Sequence, residues 1–307
     1  MSRYLNSSTY IRFQRIFLVI LTTKNWFSAI AVWMGLLSHC LIRFRNGRTF
    51  HVDKKYWVSY LERVYLYHHF PEAKLSEEIV KIEYKGRELS LHFGRYGVGT
   101  ILEIFGGQPY SEFFNTVDIK GKEIIDVGAA FGDTAIMFLI AGAKYVHSVE
   151  ASPSYFLLAK KNIKDNGYSD CCSMTLAAMG GAEGFLEIDE NLDTMFGKGI
   201  ESSAFGKKVP IVTLEQIVKK HSVKDGVLKL DVEGYEYEIL LNAPVEIIRC
   251  FSHIFLEYHY GHIKIKECLE RAGFSVRYTD SHPVYMEHLV GDAANMEVGN
   301  LYASRVG

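Results

Sequence analysis

Hydrophobic and polar residues alternate with different periods in two parts of this chain. Before about residue 93 the period is two over several short runs, with one aromatic segment of helical spacing at residues 56–70. After Asp118, apolar runs of strand length alternate with amphipathic helical segments, as a doubly wound parallel sheet requires. The pattern predicts an N-terminal extension of helices and β-hairpins over residues 1–115 and an α/β domain over residues 116–307.

Two glycine dipeptides mark the predicted hairpins. Asn46-Gly47 interrupts one alternating run and favours a tight type I′ turn. Lys85-Gly86 interrupts a second run in the same way. We therefore predict one hairpin around each dipeptide.

Helix boundaries in the second part are marked by capping residues. Ser152 can cap a helix that has Pro153 in its first turn. Thr213 with Gln216 forms a plausible capping box. Both patterns predict helix N-termini at these positions.

An apolar segment, residues 16–42, lies near the start of the chain and is interrupted by Lys24 and Asn25. Its second part, residues 26–42, runs seventeen residues without a formal charge, whereas a spanning helix needs about 20. A helix packed on the α/β domain is the leading interpretation. Because basic residues flank the segment, peripheral contact with an anionic membrane surface is one alternative, and a homodimer contact is another. No small-residue cleavage site is evident, so a signal peptide is not expected.

The composition excludes some classes of protein. Of 307 residues, 48% are hydrophobic and 23% are charged, ordinary proportions for a globular chain with a full core. The net charge of −2 leaves no overall basic field to hold a long polyanion, so we expect no nucleic-acid partner. The five cysteines are odd in number and form no C-x-x-C pair, which indicates reduced thiols and a cytoplasmic protein.

One apolar strand ends in an acid, a glycine-bearing turn and an abrupt helix, in the run Asp126-Val-Gly-Ala-Ala-Phe-Gly-Asp-Thr134. Gly128 lets the backbone turn tightly and approach a ligand. The helix N-terminus beyond Gly132 offers unpaired N–H groups and the positive end of its dipole. Such a turn is typical of the place where an α/β sheet binds a small charged ligand.

The spacing of this turn discriminates between cofactors. A dinucleotide fingerprint, G-x-G-x-x-G, would need glycines where the chain has Ala130 and Asp133, and the Asp133 carboxylate would repel a pyrophosphate. The spacing follows D-x-G-x-G-x-G instead, the first motif of S-adenosylmethionine-dependent methyltransferases, with Ala130 in the place of the middle glycine. Glu150 ends the next strand, 24 residues after Asp126, where a carboxylate can accept both ribose hydroxyls. S-adenosyl-L-methionine is therefore the predicted cofactor, and its predicted binding residues are Asp126, Gly128, Ala129, Gly132, Asp133, Thr134, Glu150, Ala151 and Ala178.

At these motifs the chain resembles the FkbM family of methyltransferases, and the resemblance extends over about residues 100–305. The first motif resembles D-V-G-A-N-x-G-D-T, and residues 150–155 resemble E-P-N-P-x-x. Residues 209–214, 228–234 and 256–259 are similar to V-P-x-x-T-L, L-K-I-D-V-E-G and I-E-x-H. The resemblance implies a Rossmann-like doubly wound seven-stranded methyltransferase sheet with its last strand antiparallel. It also implies O-methylation of hydroxyls on sugars, polyketides and related compounds.

Two later strand ends carry the candidate catalytic residues, since ligands of open α/β sheets bind at the carboxyl ends of strands. Asp231 and Glu233 follow one strand, and Glu257 and His259 end another. Strand alternation places Asp231 at the strand tip, so we predict that it contacts the substrate hydroxyl. His259 is the predicted general base, with a structural histidine as the alternative. Lys229 is expected to pair with a neighbouring acid.

A metal site is a further alternative at the second of these strand ends. Glu257, His259 and His262 have the residue types of metal ligands, but a strand and a helix start need not bring them together. We therefore predict no metal.

The sequence favours an S-adenosylmethionine-dependent O-methyltransferase that acts on a hydroxyl of a glycan, a lipid-linked sugar or a small metabolite. A non-catalytic cofactor-binding or scaffold protein is one alternative, because Ala130 and Ala151 stand where the family has polar or proline residues. An NAD-dependent oxidoreductase is another, disfavoured by Asp133. Residues 190–208 are polar and glycine-bearing, so we expect a surface loop that either closes over substrate or only connects two elements.

Overall fold

The computed structural model describes residues 16–93, 98–106, 113, 117–188, 207–283 and 296–306. The chain forms two compact units, Met1–Gly107 and Gln108–Gly307. The predicted domain boundary after residue 115 lies outside the described residues. So does the predicted polar loop, except for Lys207 and Lys208.

The first unit consists of short helices and antiparallel strands, as the change of period predicts. Residues 16–22 are helical. The elements that follow are α1 (Trp26–Trp33), β1 (His39–Arg43), β2 (Thr49–Asp53), α2 (Trp57–His69), β3 (Lys74–Leu75), β4 (Ile79–Tyr84), β5 (Arg87–His92) and α3 (Gly99–Gly106).

Both predicted hairpins are confirmed, but the turn of the first one differs from the prediction. β1 pairs with β2, and β4 pairs with β5 in a sheet ordered β3-β4-β5. Lys85 and Gly86 both have positive φ, 48° and 75°, as a type I′ turn requires. The type I′ prediction for Asn46-Gly47 is wrong, because only Gly47 has a positive φ. The Asn46 side chain instead accepts a hydrogen bond from the Arg48 N–H at 3.2 Å, which favours a wider turn.

The apolar segment of residues 16–42 is not one helix. It contains the helical residues 16–22, then α1, and it ends inside β1. α1 packs on the β1–β2 hairpin of its own unit, and its Ala29 and Val32 are fully buried. None of the helices in the described part of the chain is long and apolar enough to cross a membrane.

The second unit alternates strands with helices. Its elements are β6 (Glu123–Val127), α4 (Asp133–Ile140), β7 (Tyr145–Glu150), α5 (Pro153–Asp165), β8 (Cys172–Leu176), β9 (Ala178–Met179), β10 (Gly184–Ile188), β11 (Lys207–Val212), α6 (Leu214–His221), β12 (Gly226–Leu230), α7 (Glu236–Asn242), α8 (Val245–Ile248), β13 (Phe251–Tyr258), α9 (Ile263–Arg271), β14 (Phe274–Tyr278), β15 (His282–Pro283) and β16 (Glu297–Arg305).

The main sheet has the order β14-β16-β13-β12-β6-β7-β8 among the described residues, with β15 paired to β16, and β9, β10 and β11 form a separate small sheet. The pairs from β13 to β8 are parallel, and β16 is antiparallel to both of its neighbours. The predicted seven-stranded doubly wound sheet with an antiparallel last strand is therefore confirmed. β7 and β12 lie on opposite sides of β6, so the strand order reverses there and leaves a crevice at the carboxyl ends.

The predicted helix starts that border this crevice are confirmed. The Ser152 hydroxyl accepts a hydrogen bond from the Tyr155 N–H, with Pro153 in the first turn of α5. Thr213 and Gln216 form a reciprocal capping box at α6. Each cap satisfies N–H groups that a helix start would otherwise leave unpaired.

Candidate active site

The turn after β6 is shaped by glycines that no other residue could replace without movement. Gly128 has a φ of 75°, and a Cβ placed on it would lie 1.8 Å from the carbonyl oxygen of Asp231. Gly132 has a φ of 73° and packs against the backbone of Ala159. The β6 turn, residues 126–134, therefore lies directly against the turn that follows β12.

Asp126, at the end of β6, is fully buried and is held by groups of the chain itself. Its Oδ2 accepts a hydrogen bond from the Thr134 hydroxyl at 2.7 Å. Its Oδ1 lies 3.3 Å from the Nζ of Lys229. The expected pairing of Lys229 with an acid is confirmed, and Asp126 acts by fixing the turn.

Lys229 joins the two turns although its side chain is buried. Its Nζ donates a hydrogen bond to the Gly128 carbonyl at 2.7 Å and lies 4.0 Å from the Asp231 carboxylate. Burial opposes the charge of Lys229, but the carboxylates of Asp126 and Asp231 outweigh burial and raise the pKa of its ammonium. Lys229 is thus a charged link between the strand tips.

Glu150 anchors the backbone on both sides of the crevice. One oxygen accepts the Ala130 N–H at 2.8 Å, and the other accepts the Ser152 N–H at 2.7 Å. Burial raises the pKa of Glu150 to about 7 despite these hydrogen bonds. The first bond holds Ala130 at its φ of 41°, a conformation that costs energy for any residue with a side chain. Each oxygen keeps a further lone pair for a ribose hydroxyl.

The remaining predicted cofactor residues follow β6, β7 and β8. Asp133 is buried in the first turn of α4 and accepts a hydrogen bond from the Thr134 N–H at 3.0 Å. Burial raises the pKa of Asp133 to about 6. Ala129 lies in this turn and Ala178 follows β8, and both are buried, whereas Ala151, after β7, is partly exposed.

The turn after β12 is fixed by a residue that the sequence does not single out. Glu236 is fully buried, and its two oxygens accept the N–H groups of Val232 at 2.8 Å and Gly234 at 3.0 Å. Glu233, between them, has a φ of 55°. In the sequence, the feature that could indicate this role is the position of Glu236, an acidic residue two positions after Gly234 and at the start of α7.

The ring of His259 lies among three carboxylates. Its Nε2 is 3.3 Å from Glu233 and 3.8 Å from Glu257, and its Nδ1 is 3.1 Å from Glu236. Burial lowers the pKa of His259, but Glu233 and Glu236 outweigh it and raise the pKa to about 11. Such a histidine keeps its proton at neutral pH, which opposes the predicted role of general base.

The metal alternative involves a different set of residues from the one considered above. Within the described ranges, Asp231, Glu257 and His259 each offer one ligand atom, and these atoms lie within 4.8 Å of one another. His262 is not in this group; its ring stacks on Tyr278 with centroids 3.7 Å apart. The sequence alternative of Glu257, His259 and His262 is therefore wrong in its third member.

Asn162 is a second supporting residue for which we predict no role from the sequence. It is fully buried on α5, and its side-chain amide donates a hydrogen bond to the Phe131 carbonyl in the β6 turn at 2.9 Å. A polar residue on the apolar face of an amphipathic helix is the signal for such a contact.

The family comparison identifies this arrangement. Residues 126–283, more than half of the chain, match the Methyltransferase FkbM domain. The chain belongs to the FkbM methyltransferase family. The match begins at Asp126 and includes the turn after β12 and His259. This FkbM protein is therefore an S-adenosyl-L-methionine-dependent methyltransferase.

Solved structures of similar fold are distant from this FkbM methyltransferase. TrmK of M. capricolum in complex with S-adenosyl-homocysteine is 11% identical, with 64% of this chain and 66% of that chain covered and a TM-score of 0.39. Precorrin-6y C5,15-methyltransferase from Geobacter metallireducens is 13% identical, with 64% and 86% covered and a TM-score of 0.38. Ribosomal protein L11 methylase from Lactobacillus delbrueckii subsp. bulgaricus is 14% identical, with 64% and 77% covered and a TM-score of 0.36. A comparison with curated proteins finds no match.

The residues of the crevice fit the family's cofactor. A Cβ at Gly128 would meet the Asp231 carbonyl, so only glycine leaves the backbone free to pass there. Glu150 presents a carboxylate at the second strand end, where ribose hydroxyls need an acceptor. The acidic side chain of Asp133 at the start of α4 disfavours a diphosphate at that helix N-terminus.

Proposed function

We propose that this FkbM methyltransferase methylates a hydroxyl group of a glycan, a lipid-linked sugar or a small metabolite. When bound, S-adenosyl-L-methionine supplies a methyl group on a sulfonium, which an oxygen nucleophile can displace in line. The observation that carries the proposal is the group of carboxylates at the ends of β12 and β13, beside the β6 turn. A hydroxyl nucleophile must be oriented and must lose a proton, and carboxylates can serve both needs.

Exposure distinguishes the roles of these groups. The side chains of Asp231 and Glu233 are 34% and 30% exposed, whereas that of His259 is 3% exposed. An acceptor that enters the crevice therefore meets the carboxylates before it meets the imidazole. We assign hydroxyl contact to Asp231.

Proton removal is assigned to the Glu233 carboxylate, with the protonated His259 as its partner. Their atoms are 3.3 Å apart, so the imidazolium can donate a hydrogen bond that orients the carboxylate. The Glu236 carboxylate lies 3.1 Å from the other ring nitrogen, Nδ1, and places a second negative charge beside the ring. Glu257, 3.8 Å from Nε2, adds negative charge that stabilises the protonated ring.

The β6 side of the crevice is assigned to cofactor binding. Glu150 offers its remaining lone pairs to ribose hydroxyls, and the backbone of Gly128 and Ala129 passes close to the ligand. Asp126 and Thr134 act one step away, because their hydrogen bond fixes the turn. Ala151 and Ala178 leave room for the adenosine.

Incubation of a cell extract with the protein and radiolabelled S-adenosyl-L-methionine tests this proposal. We expect label in the glycan, lipid or small-molecule fraction, in a product that base does not hydrolyse as it would an ester. Asp231→Asn should lower kcat by about 100-fold with an unchanged Kd for the cofactor, since loss of correct positioning of a nucleophile costs on that scale. Label confined to protein or nucleic acid would contradict the assignment of the acceptor.

A non-catalytic cofactor-binding protein is a second candidate, and one observation favours it. The neighbouring carboxylates Glu233 and Glu236 raise the pKa of His259 to about 11, so the histidine that the sequence predicts as general base keeps its proton. Binding of S-adenosyl-L-methionine without transfer of label to any extract fraction would support this candidate. Calorimetry on Asp231→Asn and wild type would then give equal affinity and no turnover for either.

A further inference from the structure

The first unit exposes an unusual number of large apolar side chains within a short stretch of sequence. Phe27 is 69% exposed, and the others are at least two-fifths exposed. We call this set the apolar face, and its members are Phe17, Leu21, Phe27, Trp33, Met34, Leu36, Leu37 and Leu41. Single exposed apolar residues are normal on a protein surface, but a concentration such as this marks an interaction site.

The spacing of these residues places them on outward sides of their elements. Phe17 and Leu21 are four residues apart in the helical residues 16–22, and Phe27 and Met34 are seven apart along α1 and its C-cap. Such pairs lie on one side of a helix. Leu41 lies on the exposed side of β1, where burial alternates along the strand. The opposite side of α1 packs on the β1–β2 hairpin through Ala29 and Val32. The exposed residues of the apolar face are therefore not part of the hydrophobic core of this unit.

Basic residues lie beside the apolar face. The Lys24 N–H donates to the Arg43 carbonyl at 2.7 Å, so these two exposed residues are neighbours. The Arg45 guanidinium donates to the Ile20 carbonyl at 3.2 Å, next to the helical residues that carry Phe17 and Leu21. The positive charges therefore border the exposed apolar side chains.

The sequence that carries this surface has no acidic residue before Asp53, which pairs in register with His39 at one end of the β1–β2 hairpin. None of the first 52 residues is Asp or Glu, whereas the complete chain has a net charge of −2. The basic residues in that stretch are Arg3, Arg12, Arg15, Lys24, Arg43, Arg45 and Arg48. The part of the sequence that carries the apolar face therefore has a net positive charge, although the complete chain does not.

These charges decide between two occupants of the apolar face. A second copy of the chain in a two-fold dimer would bring Lys24 and Arg43 against identical basic groups, and like charges repel. An anionic lipid surface would neutralise the same groups and accept the apolar side chains. We propose that the apolar face, with Lys24, Arg43 and Arg45, binds peripherally to the surface of an anionic lipid membrane.

The short elements define the depth of this contact. α1 has 8 residues, far fewer than a spanning helix needs, so it lies along the interface. Trp33 and the stacked rings of Trp26 and Phe27 suit the headgroup region, where amphipathic aromatic side chains concentrate. Binding of this kind depends on apolar burial and on charge together.

Vesicle flotation of the full chain tests the proposal. We expect at least about tenfold stronger binding to vesicles of phosphatidylcholine with phosphatidylserine than to phosphatidylcholine alone, because each basic residue near an anionic surface adds several-fold affinity. Added salt should weaken binding to the anionic vesicles. The double variant Phe27→Ser and Met34→Ser should bind at least about tenfold more weakly, and so should Lys24→Glu with Arg43→Glu.

Matched substitutions in the second unit serve as controls. Phe185 is 73% exposed, so Phe185→Ser removes an equally exposed ring. Lys120→Glu with Lys224→Glu reverses two exposed charges outside the surface. Both controls should bind vesicles as wild type does, and all variants should retain the far-ultraviolet circular dichroism of wild type.

Three results would overturn the proposal. The first is no flotation of the wild-type chain with either vesicle. The second is an equal loss of binding in the control variants, which would indicate non-specific adsorption. The third is a dimer in sedimentation equilibrium that Phe27→Ser dissociates, with no affinity for vesicles, since a second copy would then cover the apolar face.

Discussion

Two turns at the carboxyl edge of the main sheet use their acids in opposite ways. In the β6 turn, Asp126 and Asp133 are buried and are bonded to groups of the turn itself. In the turn after β12, Asp231 and Glu233 remain partly exposed, and a separate buried acid, Glu236, holds the backbone. The first turn uses its acids for shape, whereas the second leaves its acids for a ligand.

The difference shows that an acidic residue within a sequence motif need not bind the ligand directly. A buried carboxylate that accepts local hydrogen bonds stabilises one backbone conformation, which a rigid cofactor cradle needs. A carboxylate with solvent access can exchange protons with a substrate. Lys229 connects the two kinds, because it contacts Asp126 and Asp231 at once.

Removal of the Lys229 ammonium, which connects the two turns, is the change for which we predict the largest loss of stability. Lys229→Met would leave the buried Asp126 without its cation, and loss of one partner of a buried ion pair costs about 3–5 kcal/mol in free energy of unfolding. Urea denaturation measures this loss. The double variant Asp126→Asn with Lys229→Met should recover most of it, and a single-variant cost near zero would contradict the assigned contact.

A methyl group at the contact between the turns should have the next largest effect. Gly128→Ala places a Cβ against the Asp231 carbonyl in a left-handed conformation, so we expect a loss of about 3 kcal/mol in stability and weaker cofactor binding. Gly121→Ala is the control, because Gly121 has a φ of 73° with nothing within 4 Å of a Cβ. That variant should lose only about 1 kcal/mol. Similar losses for the two variants would show that the left-handed backbone conformation, and not the contact with the Asp231 carbonyl, makes alanine unfavourable at residue 128.

The buried acid Glu150 should make stability depend on pH. Because burial raises the pKa of Glu150 to about 7, its contribution to stability is complete below its unfolded pKa and is lost as the pH rises through about 7. Glu150→Gln lacks this titration. Its free energy of unfolding relative to wild type should therefore rise by about 2 kcal/mol between about pH 5 and about pH 8. A pH-independent difference between the two proteins would mean that Glu150 stays ionised throughout this range.

The smallest expected effect is that of chelation. We predict no metal, so EDTA should leave methyl transfer unchanged. A loss of activity that a divalent ion restores would mean that Asp231, Glu257 and His259 act together as metal ligands. Glu257→Gln would then abolish the restoration.

Local patterns in the sequence account for much of this molecule. Strand and helix periods, caps at Ser152 and Thr213, and the glycines of the β6 turn predict the sheet and its crevice. The motif also places Asp126, Glu150 and Asp231 at strand ends, because each follows an apolar run directly. These predictions succeed since their causes lie within a few residues.

Contacts between distant segments are the part that sequence reasoning misses. The bond from Asn162 to Phe131 and the link from Glu236 to His259 join separate elements, and no local period encodes them. The first hairpin turn fails for the same reason, because the Asn46 amide donates to the carbonyl of Pro71 at 3.0 Å. Lys85 and Gly86 both have positive φ, so the second turn follows the local preference for type I′ geometry.

The antiparallel strand β16 has a consequence for how the site is assembled. β13, which carries Glu257, is bordered on its outer side by β16, and Glu257 pairs in register with Asn300. Before β16 docks, that side of β13 is an open edge able to recruit foreign strands. Docking of β16 therefore does two things at once: it covers the open edge of β13, and it fixes the strand end that carries Glu257.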